Sequence, residues 1–274
     1  MIWINRRTQL VLMTTVILLI LAVVLIGGML VDSDQFSVNL HQRNAPPSWD
    51  HLFGTDWLGR DMFSRVIKGL SWSIGIGLLA TVGSLAIALA LGLAAATLGQ
   101  MVDRVITWLV DLFLSLPHLV SLLLISFALG GGLKGVVVGI ALTHWPSLTR
   151  IIRAEVMQLR SAPYVQIARQ LGKTRWWIAR RHLLPHLRSQ LVVGGLLLFP
   201  HAILHEAAIS FLGLGLSPHQ PAIGIILSES MRYLSTGMWW LAFFPGLCLL
   251  LVARAFDLLG ENARMVYDPR EAHR

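Results

Sequence analysis

The chain has 274 residues, of which 55% are hydrophobic and 13% charged, with a formal net charge of +8. That charged share is about half of what a soluble domain carries, so a soluble enzyme of this size would leave large apolar patches in water, and a disordered tail is excluded. A single cysteine, Cys248, rules out an intrachain disulfide framework and any multi-cysteine zinc or iron–sulfur site. The composition is that of an integral membrane protein. The positive balance does not point to nucleic acid, because the basic residues gather between hydrophobic runs without the interleaved aromatics of a single-strand binder.

Six hydrophobic stretches are expected to span the membrane. Residues 8–31 are 24 positions without a charge, behind Arg6 and Arg7. As a helix they extend about 36 Å, against a hydrocarbon core of ~30 Å. The run exceeds a signal-peptide core in length, so it is expected to be an uncleaved first helix. Beyond it, residues 53–65 read Phe53-Gly54-Thr55-Asp56-Trp57-Leu58-Gly59-Arg60-Asp61-Met62-Phe63-Ser64-Arg65. The second stretch, 71–99, is uncharged and carries two stripes of small residues, Ala86, Ala90 and Ala94 beside Ala88, Gly92 and Ala96. Small stripes let backbones approach closely where lipid offers no hydrophobic drive, so both are expected to face neighbouring helices.

The third stretch, 105–129, holds Asp111 and Pro117. The proline removes a backbone hydrogen bond and should kink the helix, and His118 beside it is placed to join a pore or fill the kink. Gly130-Gly131-Gly132 reads as a turn, since three glycines in a helix cost about 1 kcal/mol each. A shorter fourth stretch, 134–151, contains His144, near whose position the sequence reads Thr143-His144-Trp145. The fifth, 191–216, contains His201, His205 and Glu206, and the sixth, 237–259, carries Arg254 and Asp257 only near its end.

The segment between the fourth and fifth spans, about 152–190, is patterned rather than linker-like. Ile151, Ile152, Val156 and Leu159 recur at helical spacing. Pro163 then opens a second helical stretch at the first-turn position where proline is tolerated, and Gly172 ends it as a left-handed cap. Trp176, Trp177, Ile178, Leu183 and Leu184 follow, and Pro185 precedes the next span. This predicts a short amphipathic helix pair on the membrane surface; the plainer alternative is a basic loop that only sets topology. Gly172-Lys173-Thr174 imitates the end of a phosphate-binding loop, but position 167 is Ile167 where that loop needs glycine, and the preceding segment is helical rather than a strand.

Charge sets the expected orientation. With the N-terminus inside, Arg6, Arg7, Arg104, nine Lys/Arg from Arg150 to Arg188, Arg254, Arg264, Arg270 and Arg274 lie inside, sixteen in all. Outside are six, Arg43, Arg60, Arg65, Lys68, Lys134 and Arg232, balanced by Asp32, Asp34, Asp50, Asp56, Asp61 and Glu229. Six spans with both termini inside satisfy the positive-inside rule.

Ionisable residues at membrane depth are functional candidates by default. His201 and His205 are one turn apart on one helix face, a spacing able to ligate one metal. Glu206 lies about 100° round the helix from His205 and need not share their site. The alternative role for all three is hydrogen bonding to neighbouring helices. His205-Glu206 does not open a metalloprotease motif, since the second histidine would fall at Ile209.

Several blocks resemble one family. Gln166-Ile167-Ala168, then Gly172, then His182-Leu183-Leu184-Pro185 resembles the E-A-A-x-x-x-G…I-x-L-P signature of permease subunits of binding-protein-dependent ABC importers, with Gln166, Ile167 and His182 departing from it. Residues 53–65 resemble the G-T-D-x-x-G-R-D-x-x-S-R block of the dipeptide/oligopeptide/nickel permeases, with Gly54, Thr55, Asp56, Gly59, Arg60 and Asp61 in the matching places. Ser210-Phe211-Leu212-Gly213-Leu214-Gly215 is similar to its S-F-L-G-L-G block. Leu258-Leu259-Gly260-Glu261, Arg264 and Asp268-Pro269-Arg270 are similar to its tail, with Glu261 replacing Asp.

The resemblance implies an all-α, six-span permease subunit of the bacterial inner membrane. It would be non-catalytic and bind no cofactor of its own. ATP and Mg²⁺ would be used by two partner ATPases, alongside a second homologous permease and an extracytoplasmic solute-binding protein, with lipid around and no nucleic acid. Gln166, Ile167, Ala168, Gly172, His182, Leu184 and Pro185 would form the coupling element. Histidines ahead of S-F-L-G-L-G, and His144, resemble those of nickel-type members, which puts nickel or a nickel chelate first as cargo and dipeptides or oligopeptides second. On that view His201 and His205 contact the metal transiently, with Glu206 and His144 along the path. An ion-coupled secondary transporter is the competing class; it predicts internal repeats, and none is evident.

Overall fold

The structure, a computed structural model, describes residues 6–31, 37–217 and 220–267, with residues 6–10 in backbone only. Asp32, Asp34, Arg274 and the Asp268-Pro269-Arg270 part of the tail block lie outside the described residues. Among those described the fold is all-α, its only β pairing being an isolated bridge between Thr55 and Asp61.

Helix α1 (Arg6–Leu30) is apolar all round and packs one stripe, Ile17, Leu21 and Val24, against the bundle, while Val16, Leu19, Ile20 and Val23 face outward. On a helix at membrane depth that exposed face is the lipid side. Helix α2 (Met62–Thr97) begins nine residues before the expected span. At 36 residues it is about 54 Å long, so it crosses the bilayer and projects beyond it, and Arg65 and Lys68 ride on the projecting turns. It runs through all three apolar clusters of the core.

Its most extensive partner is α5 (Gly132–Arg160). The small-residue expectation holds along the whole of one stripe and, in the other, only at Ala94, which packs partly buried against the core. Ala88 and Ala96 are fully buried, and a Cβ on Gly92 would lie 2.7 Å from the Ile152 side chain. Ala86 and Ala90 are exposed. Both stripes have the same spacing, but only the face turned toward α5 finds a second backbone to approach.

The expected third span is broken rather than kinked. Helix α3 (Gln100–Ser115) and α4 (His118–Ala128) meet at 100°. Pro117 lies in the break with φ −58° and ψ 115°, and a proline both lacks the donor and clashes with the carbonyl one turn back. Asp111, the acid inside that stretch, pairs with Arg150 of α5, and Asp103 is held by the Arg153 guanidinium, with Nη2 to Oδ2 at 2.7 Å.

The fourth stretch does not stop at residue 151, since α5 continues to Arg160 through Pro146. What reads as the first helix of an amphipathic pair is therefore its continuation. Then come α6 (Pro163–Gln170), α7 (Arg175–Ile178), a π-helical turn at Ala179–Leu183 and α8 (Leu184–Phe211), with Pro163 and Pro185 each in a first helical turn. Helix α9 (Ile223–Leu234) lies between the fifth and sixth expected spans, where hydropathy marks no crossing. It buries Ile223, Ile225 and Ile226 among α2, α8 and α10 (Trp240–Tyr267). At twelve residues it is too short to span.

Two glycine-rich turns far apart in sequence meet at one end of the bundle. The Gly132 amide donates to the Gly215 carbonyl at 2.9 Å, and the Ser126 hydroxyl to that of Leu214 at 3.3 Å. Gly215 passes so close to Ser210 that a Cβ would lie 2.2 Å from its hydroxyl. The Ser210–Gly215 block thus anchors α8 to the start of α5.

Candidate functional site

Three polar constructions stand out, one at each end of the bundle and one at its mid-depth. The first is built by residues 53–65. Gly54 and Gly59 adopt φ of +71° and +75°, where a side chain would be strained, and a Cβ on Gly59 would fall 1.8 Å from the Asn39 carbonyl. These turns bring Asp56 under the start of α2, where it is 2% exposed. Its Oδ1 accepts from the amides of Leu58 and Arg60 at 2.8 and 2.9 Å, and its Oδ2 from Arg60 Nε and Arg65 Nη1, both at 2.6 Å. Arg65 Nη2 then donates to Glu229 of α9 at 2.8 Å. Asp61 caps α2 by accepting from the Ser64 amide at 2.8 Å, and its other oxygen faces His51 Nδ1 at 3.0 Å. The Thr55 hydroxyl accepts from the Ala45 amide at 2.8 Å and donates to the Gln42 carbonyl. Thr55, Asp56, Asp61 and Arg65 are thus spent on contacts that tie the turn to α2 and α9, while Arg60 Nη2 is buried without a hydrogen-bond partner, 3.5 Å from Glu229.

The second construction is the turn after α6. Gly172 has φ +73°, and the Lys173 amide reaches back to the Ala168 carbonyl at 3.1 Å, closing the left-handed helix end expected of a terminal glycine. Ala168 faces inward with Val165, while Gln166 and Ile167 face out. His182 packs its ring between Tyr164 and Trp177, with centroids at 5.5 and 5.3 Å. Leu184 is partly buried and Pro185 exposed. Ile167, Leu171 and Trp176 are exposed together around this turn, at 55, 71 and 75%, leaving an apolar knob rimmed by Arg169 and Lys173.

The third is a pocket of about 390 Å³ walled by α3, α4, α5 and α8, into which His118, His144, His201 and His205 all reach. Three of the four converge. The ligating nitrogens of His118, His144 and His205 lie within 4.8 Å of one another. Their ring centroids are 4.4, 4.6 and 5.1 Å apart, with interplanar angles of 63–87°. His201 is exposed on the rim and contributes its backbone carbonyl, which faces His205 Nδ1 at 2.6 Å.

The pairing expected from helical spacing, His201 with His205, is therefore not the one that forms the compact group. His118 takes that place because the break at Pro117 starts α4 there. Glu206 keeps apart from the histidines, as its angular position on the helix allows, and takes the hydrogen-bonding alternative rather than a place along the path. It is fully buried on another face of α8, where Ser210 donates to its Oε1 at 2.8 Å and Ser73 of α2 lies beside it. It does not line the histidine pocket.

Residues 86–263 match the family described as binding-protein-dependent transport system inner membrane component. Along nearly the whole chain there are named relatives. It is 32% identical over 255 residues to the dipeptide transport system permease protein DppC of Bacillus subtilis (strain 168), covering 93% of this chain and 80% of that protein. It is 34% identical over 266 residues to a putative peptide transport system permease protein of Brucella suis biovar 1, covering 97% and 89%. It is 32% identical over 271 residues to the probable D,D-dipeptide transport system permease protein DdpC of Escherichia coli (strain K12), covering 98% and 91%. The fold is similar to that of a chain of the MetNI methionine ABC transporter in an inward-facing form, with a TM-score of 0.60 at 19% identity over 76% of this chain and 98% of that one.

Proposed function

Because the chain belongs to the inner membrane components of binding-protein-dependent transport systems, as a permease subunit of an ABC importer, we propose that its cargo is a dipeptide or short oligopeptide. The observation that carries this reading is that relatives aligned along more than nine-tenths of the chain are named for peptides or dipeptides. Nickel, which the histidines put first at the level of sequence, finds no support in those names, and the peptide alternative replaces it.

The subunit would pair with a second permease of the same family, two cytoplasmic ATPases and an extracytoplasmic solute-binding protein. Both termini and the 152–190 segment would face the cytoplasm, following the sixteen-to-six distribution of basic residues. The turn around Ala168 and Gly172 would be the ATPase contact: its exposed Ile167, Leu171 and Trp176 are the apolar anchors such a contact needs, and a short helix ended by a glycine reversal moves as a rigid body. Chemistry would then reside in the partners, and this chain would contribute the pathway.

The test is uptake. Cells lacking this chain should lose energy-dependent accumulation of a labelled dipeptide, regained when the chain is restored. If dipeptide uptake is unchanged and ⁶³Ni²⁺ uptake is lost instead, the cargo assignment is wrong while the permease assignment stands.

A further inference from the structure

We propose that His118, His144 and His205 form a binding site for one divalent transition-metal ion of the imidazole-preferring group, Zn²⁺, Cu²⁺ or Ni²⁺. This goes beyond the cargo assignment and does not depend on it. The three side chains come from three separate helices, and their ligating nitrogens fall within 4.8 Å of one another. The rings meet edge to face, at 63–87°, so that no pair is stacked.

The hydrogen bonds present select the ligating tautomers. His144 Nδ1 lies 3.0 Å from the Ile140 carbonyl, and His205 Nδ1 lies 2.6 Å from the His201 carbonyl. A carbonyl oxygen can only accept, so in each neutral ring the proton sits on Nδ1 and Nε2 keeps its lone pair. This is the arrangement by which an outer partner orients a metal-binding imidazole and raises its basicity. His144 Nε2 is buried with no protein partner, and His118 Nδ1 is in the same position. A polar atom buried without a partner is unfavourable, and two of them in one largely apolar pocket are explained together by a shared ligand.

The donor set also limits the ion. Three neutral nitrogens without thiolate or carboxylate suit zinc, copper and nickel and disfavour magnesium and calcium, which take oxygen. Three protein ligands leave a fourth position open, and the pocket that lies there is lined by Ser147, Leu148 and Gly194 as well as His201.

The experiment is Zn²⁺ binding to the purified, assembled importer by equilibrium dialysis, with zinc K-edge X-ray absorption on the loaded wild-type complex. The wild type should hold one ion that the His118→Ala, His144→Ala and His205→Ala complexes each bind at least about tenfold more weakly. His205→Cys, which replaces the imidazole with another ligand that zinc accepts, should retain zinc binding that His205→Ala loses. The absorption spectrum should fit three imidazole nitrogens in the inner shell. A wild-type complex that takes up no such ion, variants that bind it as well as the wild type, or an inner shell with fewer than three imidazoles would each overturn the proposal. The X-ray measurement decides it even if a variant fails to assemble.

Discussion

The two histidine- and charge-bearing regions of this chain are built on opposite principles. At the start of α2, Asp56 has four donors, Arg65 bridges it to Glu229, and Asp61 caps a helix and faces His51. In the mid-depth pocket, His118 Nδ1 and His144 Nε2 are buried with nothing to bond. Both regions sequester ionisable groups. The first satisfies its buried carboxylate from within the protein and so becomes structure; the second leaves converging lone pairs for something the chain does not supply. A charged residue in a family block is therefore no sign of a site by itself, and an unpartnered neutral nitrogen can be the stronger one.

The largest effect that would break this contrast is at the charge network. Arg65→Ala takes one of the two guanidinium partners from buried Asp56 and removes the shorter of the two links to Glu229 of α9, leaving Arg60 at 3.5 Å. Removing one partner of a buried pair costs about 3–5 kcal/mol, so the variant should unfold at markedly lower temperature or denaturant in detergent. An unchanged midpoint would show that the network is incidental to the fold. Next comes the cap: Asp61→Ala loses the bond from the Ser64 amide and should cost about 1 kcal/mol, read on the same unfolding curves. A loss as large as that of Arg65→Ala would mean that the His51 contact is doing more than its geometry indicates.

The smallest effect is expected in the pocket. His144 bonds only within its own helix, to Ile140 and Thr143, and its buried Nε2 has no protein partner, so without metal His144→Leu should be close to neutral or stabilising. Adding Zn²⁺ at a hundred times its dissociation constant should stabilise the wild type by about 2.7 kcal/mol and the variant hardly at all. Thermal unfolding with and without zinc separates the two cases. A large loss in metal-free protein would place His144 among the architectural residues after all.

Much of the fold was legible because membrane insertion is read locally. Hydropathy marks helices, Gly172 marks a helix end through a conformation other residues resist, and Pro163 and Pro185 mark first turns. The block at 53–65 was recognisable, though its purpose was not, since Asp56 and Glu229 are 173 positions apart and nothing near either announces the other. Helix α9 escaped because its short apolar run carries Glu229 and Arg232 and falls below spanning length. The continuation of α5 beyond residue 151 shows in the sequence as periodicity but reads as a separate helix, because hydropathy ends where the membrane ends while backbone hydrogen bonding does not.

The metal-competent group lay beyond local reading for a related reason. Spacing along one helix offered His201 and His205, and it was right that both reach one pocket. It had no means of weighing His118, whose position depends on how sharply Pro117 turns the chain. What the sequence by itself determined was the solvent: its apolar share, its sparse charge and the length of its runs leave a helical membrane protein as the consistent outcome, because an unsatisfied backbone cannot enter lipid. What only the tertiary structure decided was which polar groups meet. A 100° break between α3 and α4 and the packing of α4 and α8 against α5 bring residues 118, 144 and 205 to one point, and that convergence follows from packing among helices rather than from any pattern within one.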